Sequence, residues 1–168
     1  MKKTNNKKKH NKPNTKGRNR AMAKGNPSIG NQKRHDYKVA NAIAKRAFEA
    51  GFFLEPIAIY ESMIADRLES RLKDNNIADM DFKPLGDLIA AMKPSEKNQA
   101  IKDLVIKIDI WRETRNKALH EIAKREEGNN KTASEKYAEC KVIAEEGKRL
   151  LAELSKQIKK ARNSEQKS

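Results

Sequence analysis

The sequence predicts an all-α protein: an antiparallel bundle of four principal helices plus a short helix, behind a disordered basic N-terminal tail. Three observations lead there. From residue 35 onward apolar residues recur at three- and four-residue spacing, the period of a buried helical face. No segment shows sustained two-residue alternation of strand-forming residues, and the connections are short enough to favour antiparallel neighbours. The first 34 residues hold 12 Lys or Arg and no Asp or Glu, with too little apolar surface to offset the entropy of ordering in isolation. The chain therefore divides into a Lys- and Asn-rich tail over 1–34, a helical domain over 35–162, and a fraying basic end over 163–168.

Val39, Ile43, Ala47 and Phe48 mark a first helix, which Gly51 interrupts. Pro56 is placed to open the second, which runs to about Lys73 with Ile57, Tyr60, Ile64, Leu68 and Leu72 on one face. DNNIADMDFKP reads as a loop, and Pro84 opens the short third helix, PLGDLIAAM. KPS then restarts the chain, with Ser95 as the expected N-cap of a long fourth helix. EEGNN at 126–130 breaks that helix. A last long helix starts near Thr132, with Tyr137, Cys140, Ala144, Leu151, Leu154 and Ile158 in its stripe.

Composition narrows the function classes. A content of 36% hydrophobic and only 5% aromatic residues suits a modest aliphatic core. The net charge of +15 points to polyanionic partners. Of the 38 basic residues 12 lie in the tail, leaving 26 against 23 acidic ones, so most of the excess charge belongs to the tail. Lys2, Lys3, Lys7, Lys8, Lys9, Lys12, Lys16, Arg18 and Arg20 are its candidate nucleic-acid contacts. A solubilising extension and a mitochondrial presequence are the alternatives, the latter disfavoured because the tail lacks an amphipathic apolar stripe. A lone Cys140, no secretory segment and no membrane-spanning run lead to the expectation of a cytoplasmic protein with no membrane partner. His10, His35 and His120 are far apart and no cluster shows zinc spacing, so no metal site is expected. With no phosphate loop and no strand–glycine–helix unit, no cofactor is expected either.

One stretch departs from the bland pattern. Ile101, Leu104, Ile108 and Trp111 lead an apolar stripe that Ala118, Leu119 and Ile122 continue, and Arg115 sits in that row. A buried guanidinium must be paired or serve a site, because uncompensated desolvation costs several kcal/mol or more. At about 100° per residue, Asn116 lies about 100° and His120 about 140° round the helix from Arg115. Asn116 and His120 thus stack one turn apart at the stripe's edge.

Arg115-Asn116-Lys117-Ala118-Leu119-His120 resembles the motif of the HEPN superfamily (higher eukaryotes and prokaryotes nucleotide-binding domains). Its ribonuclease members are helical bundles that carry Arg, four to six residues, then His, often with Asn after the Arg. The motif lies late in a long helix of an all-helical chain, and the resemblance extends over roughly residues 40–160. FLEPIAIYESMIADRLESRL is similar to the helix preceding the motif helix in many members, where an acidic residue faces the site; Glu61 is that candidate. Its alternatives are solvent exposure or pairing with a basic neighbour one turn away. Some toxin members carry Tyr two places after the His as the target of a nucleotidyl-transferring antitoxin. Ile122 stands there, so any silencing would use another mechanism.

The resemblance implies metal-independent cleavage of RNA by attack of its own 2′-hydroxyl. His120 would then move protons, since imidazole changes charge near neutral pH. Arg115 would stabilise charge on the phosphoryl oxygens, and Asn116 would orient the imidazole or bind a phosphate oxygen. It also implies a homodimer that pools two motifs in one cleft, RNA (tRNA, mRNA or the ribosome) as partner, and a toxin or phage-defence role with a possible antitoxin or regulatory protein. Two other readings remain: a non-catalytic RNA- or nucleotide-binding module, and a ribonucleoprotein assembly protein whose tail threads along RNA. Arg115 could also simply snorkel, its head reaching water or pairing with Glu113 or Glu121.

Overall fold

A computed structural model describes residues 27–122 and 131–166. Among these the chain is entirely helical between its loops: α1 (Pro27–Glu49), α2 (Leu54–Asp74), α3 (Leu85–Ser95), α4 (Gln99–Glu121) and α5 (Ala133–Glu165). The four long helices run alternately up and down and α3 is the short one, as the periodicity predicts. None of the described helices is long and apolar enough to cross a membrane.

Cross-helix contacts set the directions. Lys33 and Tyr37 of α1 meet Asp66 of α2, and the two helices turn back on each other at Gly51. Trp111 and Glu121 of α4 meet Ile143 and Lys136 of α5, so these also run antiparallel. The helix α2 packs against α1, α3 and α5, and its outer turns meet Tyr137 at one end and Glu165 at the other, so α2 and α5 run the same way. Around α2 the core is aliphatic: Ile64, Leu68 and Leu72 face Leu88 and Met92, Ile101 and Ile108, and Leu150 and Leu154, all fully buried.

The α1–α2 corner follows its local sequence. Gly51 adopts φ +83°, where a side chain would be strained, and Phe52 N–H returns to the Ala47 carbonyl at 2.8 Å, the bonding of a glycine-terminated helix. The Tyr137 hydroxyl accepts from Phe53 N–H and donates to the Gly51 carbonyl, each at 3.0 Å, pinning the corner to α5.

Three boundaries differ from the sequence reading. Residues 27–34, assigned above to the tail, are the first two turns of α1, where Lys33 gains Asp66 as a partner at 3.1 Å. Ser95 closes α3, donating to the Ala91 carbonyl at 2.7 Å, and the cap of α4 is Asn98, whose side chain accepts from Ile101 N–H. Helix α5 continues through 163–165 instead of fraying. Its last turns are held to α2 by Arg162, which reaches Asp74 at 2.7 Å and the Ser70 hydroxyl at 2.8 Å, and by Glu165. The EEGNN breaker and the tail over 1–26 lie outside the described residues.

Glu165 is one arm of a buried cluster. Arg71, 1% exposed, donates Nε and Nη2 to the two oxygens of Glu96 at 2.7 and 2.9 Å, and Nη1 and Nη2 to Glu165 at 2.9 and 2.6 Å. Glu96 Oε1 also accepts the N–H groups of Lys97 and Asn98, both at 2.9 Å, ahead of α4. Burial pushes the Glu96 carboxyl up, but the Arg71 guanidinium and the Asn98 N–H outweigh it and hold it below the usual carboxylate range. Its stabilising contribution is therefore complete above the unfolded-state pKa, about 4.3, and is lost as pH falls through the lower folded value.

Two outcomes are expected. Glu96→Gln leaves Arg71 half-paired in the core and lowers the thermal midpoint by on the order of 10 °C; a shift under about 2 °C in a circular dichroism melt would remove the cluster's structural role. Between pH 5 and 3 the wild type should lose stability more steeply than Glu96→Gln, read from urea midpoints.

Candidate active site

The site region is assembled by α4, α2 and α5 from the indole outward. Trp111 is buried, and its Nε1 donates to the Ile143 carbonyl of α5 at 2.9 Å. That approach needs Gly147: a Cβ there would stand 2.7 Å from Trp111 Cζ2. A glycine inside a helix costs up to about 1 kcal/mol relative to alanine, so its presence here reflects the close contact and not helix formation.

One turn after Trp111, the Arg115 guanidinium carbon lies 6.0 Å from the indole centroid. Arg115 Nη2 forms an ion pair with Glu61 of α2. The Arg115 side chain is 13% exposed and that of Glu61 28%, so the pair lies at the rim of the core. Arg115 Nε is buried without a hydrogen-bond partner. The arginine in the apolar stripe is thus neither snorkelling to Glu113 nor paired with Glu121. It is held between the indole and a carboxylate from the neighbouring helix.

The rest of the motif faces outward. Asn116 is half-buried and His120 exposed in the last turn of α4, and neither side chain hydrogen-bonds another described residue. The structure therefore brings Arg115 and Glu61 together, and leaves Asn116 and His120 on the adjoining surface without the orienting contact between them that the sequence suggested. Lys136 Nζ donates to the Glu121 carbonyl at 2.8 Å, joining the end of α4 to α5 beside this surface. The tail lysines and arginines proposed as nucleic-acid contacts, from Lys2 to Arg20, lie outside the described residues. Cys140 is fully buried, and burial pushes its thiol up, away from nucleophilic chemistry.

Comparisons of the chain with models of known families, with curated proteins and with solved structures found no match. The family resemblance therefore rests on the motif and the helical context alone.

Sequence reasoning missed a set of polar residues at the far end of the bundle: Lys33 and Arg34, taken as tail, and Arg67, Ser70, Asp74 and Arg162. The signal was present in the i, i+4 spacing of Asp66, Ser70 and Asp74 along one face of α2.

Gly147→Ala is expected to destabilise by about 1–2 kcal/mol, the overpacking against Trp111 exceeding the gain in helix propensity; denaturant unfolding decides it. A double-mutant cycle with Glu61→Gln and Arg115→Met should return a coupling of at least 0.5 kcal/mol, and additivity would show that the ion pair is not formed in solution.

Proposed function

We propose that this protein is a metal-independent endoribonuclease of the HEPN type, of the kind that serves in toxin and phage-defence systems. The observation that carries the reading is the partly buried Arg115, held by Glu61 and backed by Trp111, with an exposed histidine five residues later on the same helix. A pre-oriented guanidinium at the edge of a core is suited to charge developing on phosphoryl oxygens.

In the reaction, His120 takes the proton of the RNA 2′-hydroxyl as O2′ attacks the adjacent phosphorus. The O2′–P bond forms, the P–O5′ bond breaks, and the departing O5′ receives a proton. The products are a 2′,3′-cyclic phosphate and a 5′-hydroxyl end. A homodimer that pools two motifs supplies the second proton carrier as the His120 of another copy. Arg115 stabilises the non-bridging oxygens, and Asn116, one turn from His120, supplies an amide to the phosphate.

The ion pair itself favours a second reading. A guanidinium already neutralised by Glu61 offers less charge to a transition state, which suits a helical module that binds RNA without cleaving it. Replacement of His120 separates the two.

Purified protein incubated with total and transfer RNA in EDTA should release fragments with cyclic-phosphate ends. The His120→Ala variant should lose about 10²–10⁴-fold in rate, and Arg115→Ala about 10²–10³-fold, with the fold retained by circular dichroism. Intact RNA bound equally by all three proteins would establish the binding module instead.

A further inference from the structure

Where the first half of α1, the second half of α2 and the end of α5 meet, a groove of about 820 Å³ opens, lined by Lys33, Arg34, Lys38, Arg67, Lys73 and Arg162 among others. Its carboxylates are already engaged. Asp66 accepts from the Tyr37 hydroxyl at 2.8 Å and from Lys33. Asp74 holds Arg162, Glu165 holds Arg71, and Glu69 accepts the Phe82 N–H at 3.0 Å. Lys73 turns to Asp81, at 2.5 Å.

Arg34, Lys38 and Arg67 form no ion pair with any described residue. Arg67 is set in place by an aromatic ring: its guanidinium carbon lies 4.4 Å from the Tyr37 centroid, and its Nε is buried without a hydrogen-bond partner. The Tyr37 ring is in turn fixed by its bonds to Asp66 and to the Met63 carbonyl. Beside the groove on α5, Lys156, Lys159 and Lys160 line a second, shallower depression and are likewise exposed and free of ion pairs among the described residues. Residues 1–26, with ten Lys or Arg and no acid, join the fold at Pro27, three residues before Gly30 of the groove wall. In the sequence, the basic tail therefore leads directly into the α1 wall of the groove.

The surface begins close to the level of the candidate site and runs away from it along the bundle. On α2, Arg67 follows Glu61, the partner of Arg115, by six residues, a rise of about 9 Å, whereas Arg162 lies towards the far end of α5 from Lys136.

We infer that this end of the bundle is an RNA-anchoring surface, on which Arg34, Lys38 and Arg67 in the groove and Lys156, Lys159 and Lys160 beside it take backbone phosphates. Guanidinium and ammonium groups that no carboxylate among the described residues neutralises suit phosphate contacts that position a strand without reading its bases. Its role rests on the proposed ribonuclease reading: the surface would be a second set of phosphate contacts that holds the strand whose scissile bond meets Arg115 and His120.

The test uses the full chain and fluorescence anisotropy with labelled RNAs of about 8 and about 30 nucleotides over a salt series, on an H120A background so that RNA stays intact. In that background Arg34→Gln, Lys38→Gln, Lys159→Gln and Lys160→Gln are combined; all four positions are exposed, and circular dichroism checks the fold. The combined variant should bind the longer RNA at least tenfold more weakly near 0.1 M salt. Its slope of log affinity against log salt should be shallower by about three. Unchanged affinity and slope would overturn the anchor while leaving the cleavage reading untouched. Loss of cleavage in Arg115→Ala, with RNA binding kept through the groove, would separate the two sites. Competition by phosphatidylserine vesicles that displaces RNA from the groove at equal anionic charge would assign the surface to a membrane instead.

Discussion

The fold depends on one guanidinium. Arg71 sits where the end of α2, the turn between α3 and α4 and the last turn of α5 converge, and it bonds a carboxylate from each of the latter two. Taking an arginine into a core is expensive. What compensates is complete bidentate pairing on both sides, with the remaining lone pair of Glu96 Oε1 occupied by the N–H groups that open the segment before α4. This explains why the chain bends at Glu96, why Asn98 caps α4, and why α5 remains helical to its end. A hydrophobic residue at 71 could fill the space but could not tell the three segments where to stop.

The opposite end of the bundle is built by packing together with single side-chain hydrogen bonds to main-chain groups. The Gly51 corner and Tyr137 fasten α1 and α2 to the start of α5, and Trp111 sets the spacing between α4 and α5. Arg115 inherits its position from this framework. Its neighbours are an indole held by a main-chain carbonyl and a carboxylate rising from α2, both on rigid helices, whereas His120 sits in the final turn of α4, with the surface open around it. One half of the motif is thus fixed in place and the other is free to meet a ligand or a second copy.

Much of this was legible because helical periodicity is a local property. Ile57, Tyr60, Ile64, Leu68 and Leu72 announce the buried face of α2, and all five are buried. Arg115 stood out as a charge in an apolar row, and it is partly buried and paired. The partners were harder to read. The pairing of Arg115 with Glu61 spans 54 residues and that of Arg71 with Glu165 spans 94, distances over which no helical spacing speaks; Glu61 came forward only through the family resemblance, and Glu165 not at all. Arg71 raised no flag because it is one of two arginines in ADRLESRL, where alternation of charge reads as a solvated face. The Ser95 cap failed for a related reason: Ser95 is a good cap by type, but the buried Glu96 takes the amides that a cap there would serve. Residues 27–34 look like tail by composition and become helix because Lys33 and Tyr37 find Asp66 on α2.

The contact between Gly147 and Trp111 also acts as an alignment key. The indole fits only over the one position of α5 that lacks a side chain, and a slip of one residue in either direction would set Glu146 or Lys148 against it. Two long antiparallel helices with aliphatic faces could otherwise pack at several offsets of similar energy. The key selects one of them, and since Arg115 follows Trp111 by a single turn, the same choice decides at what height along the bundle the guanidinium meets Glu61.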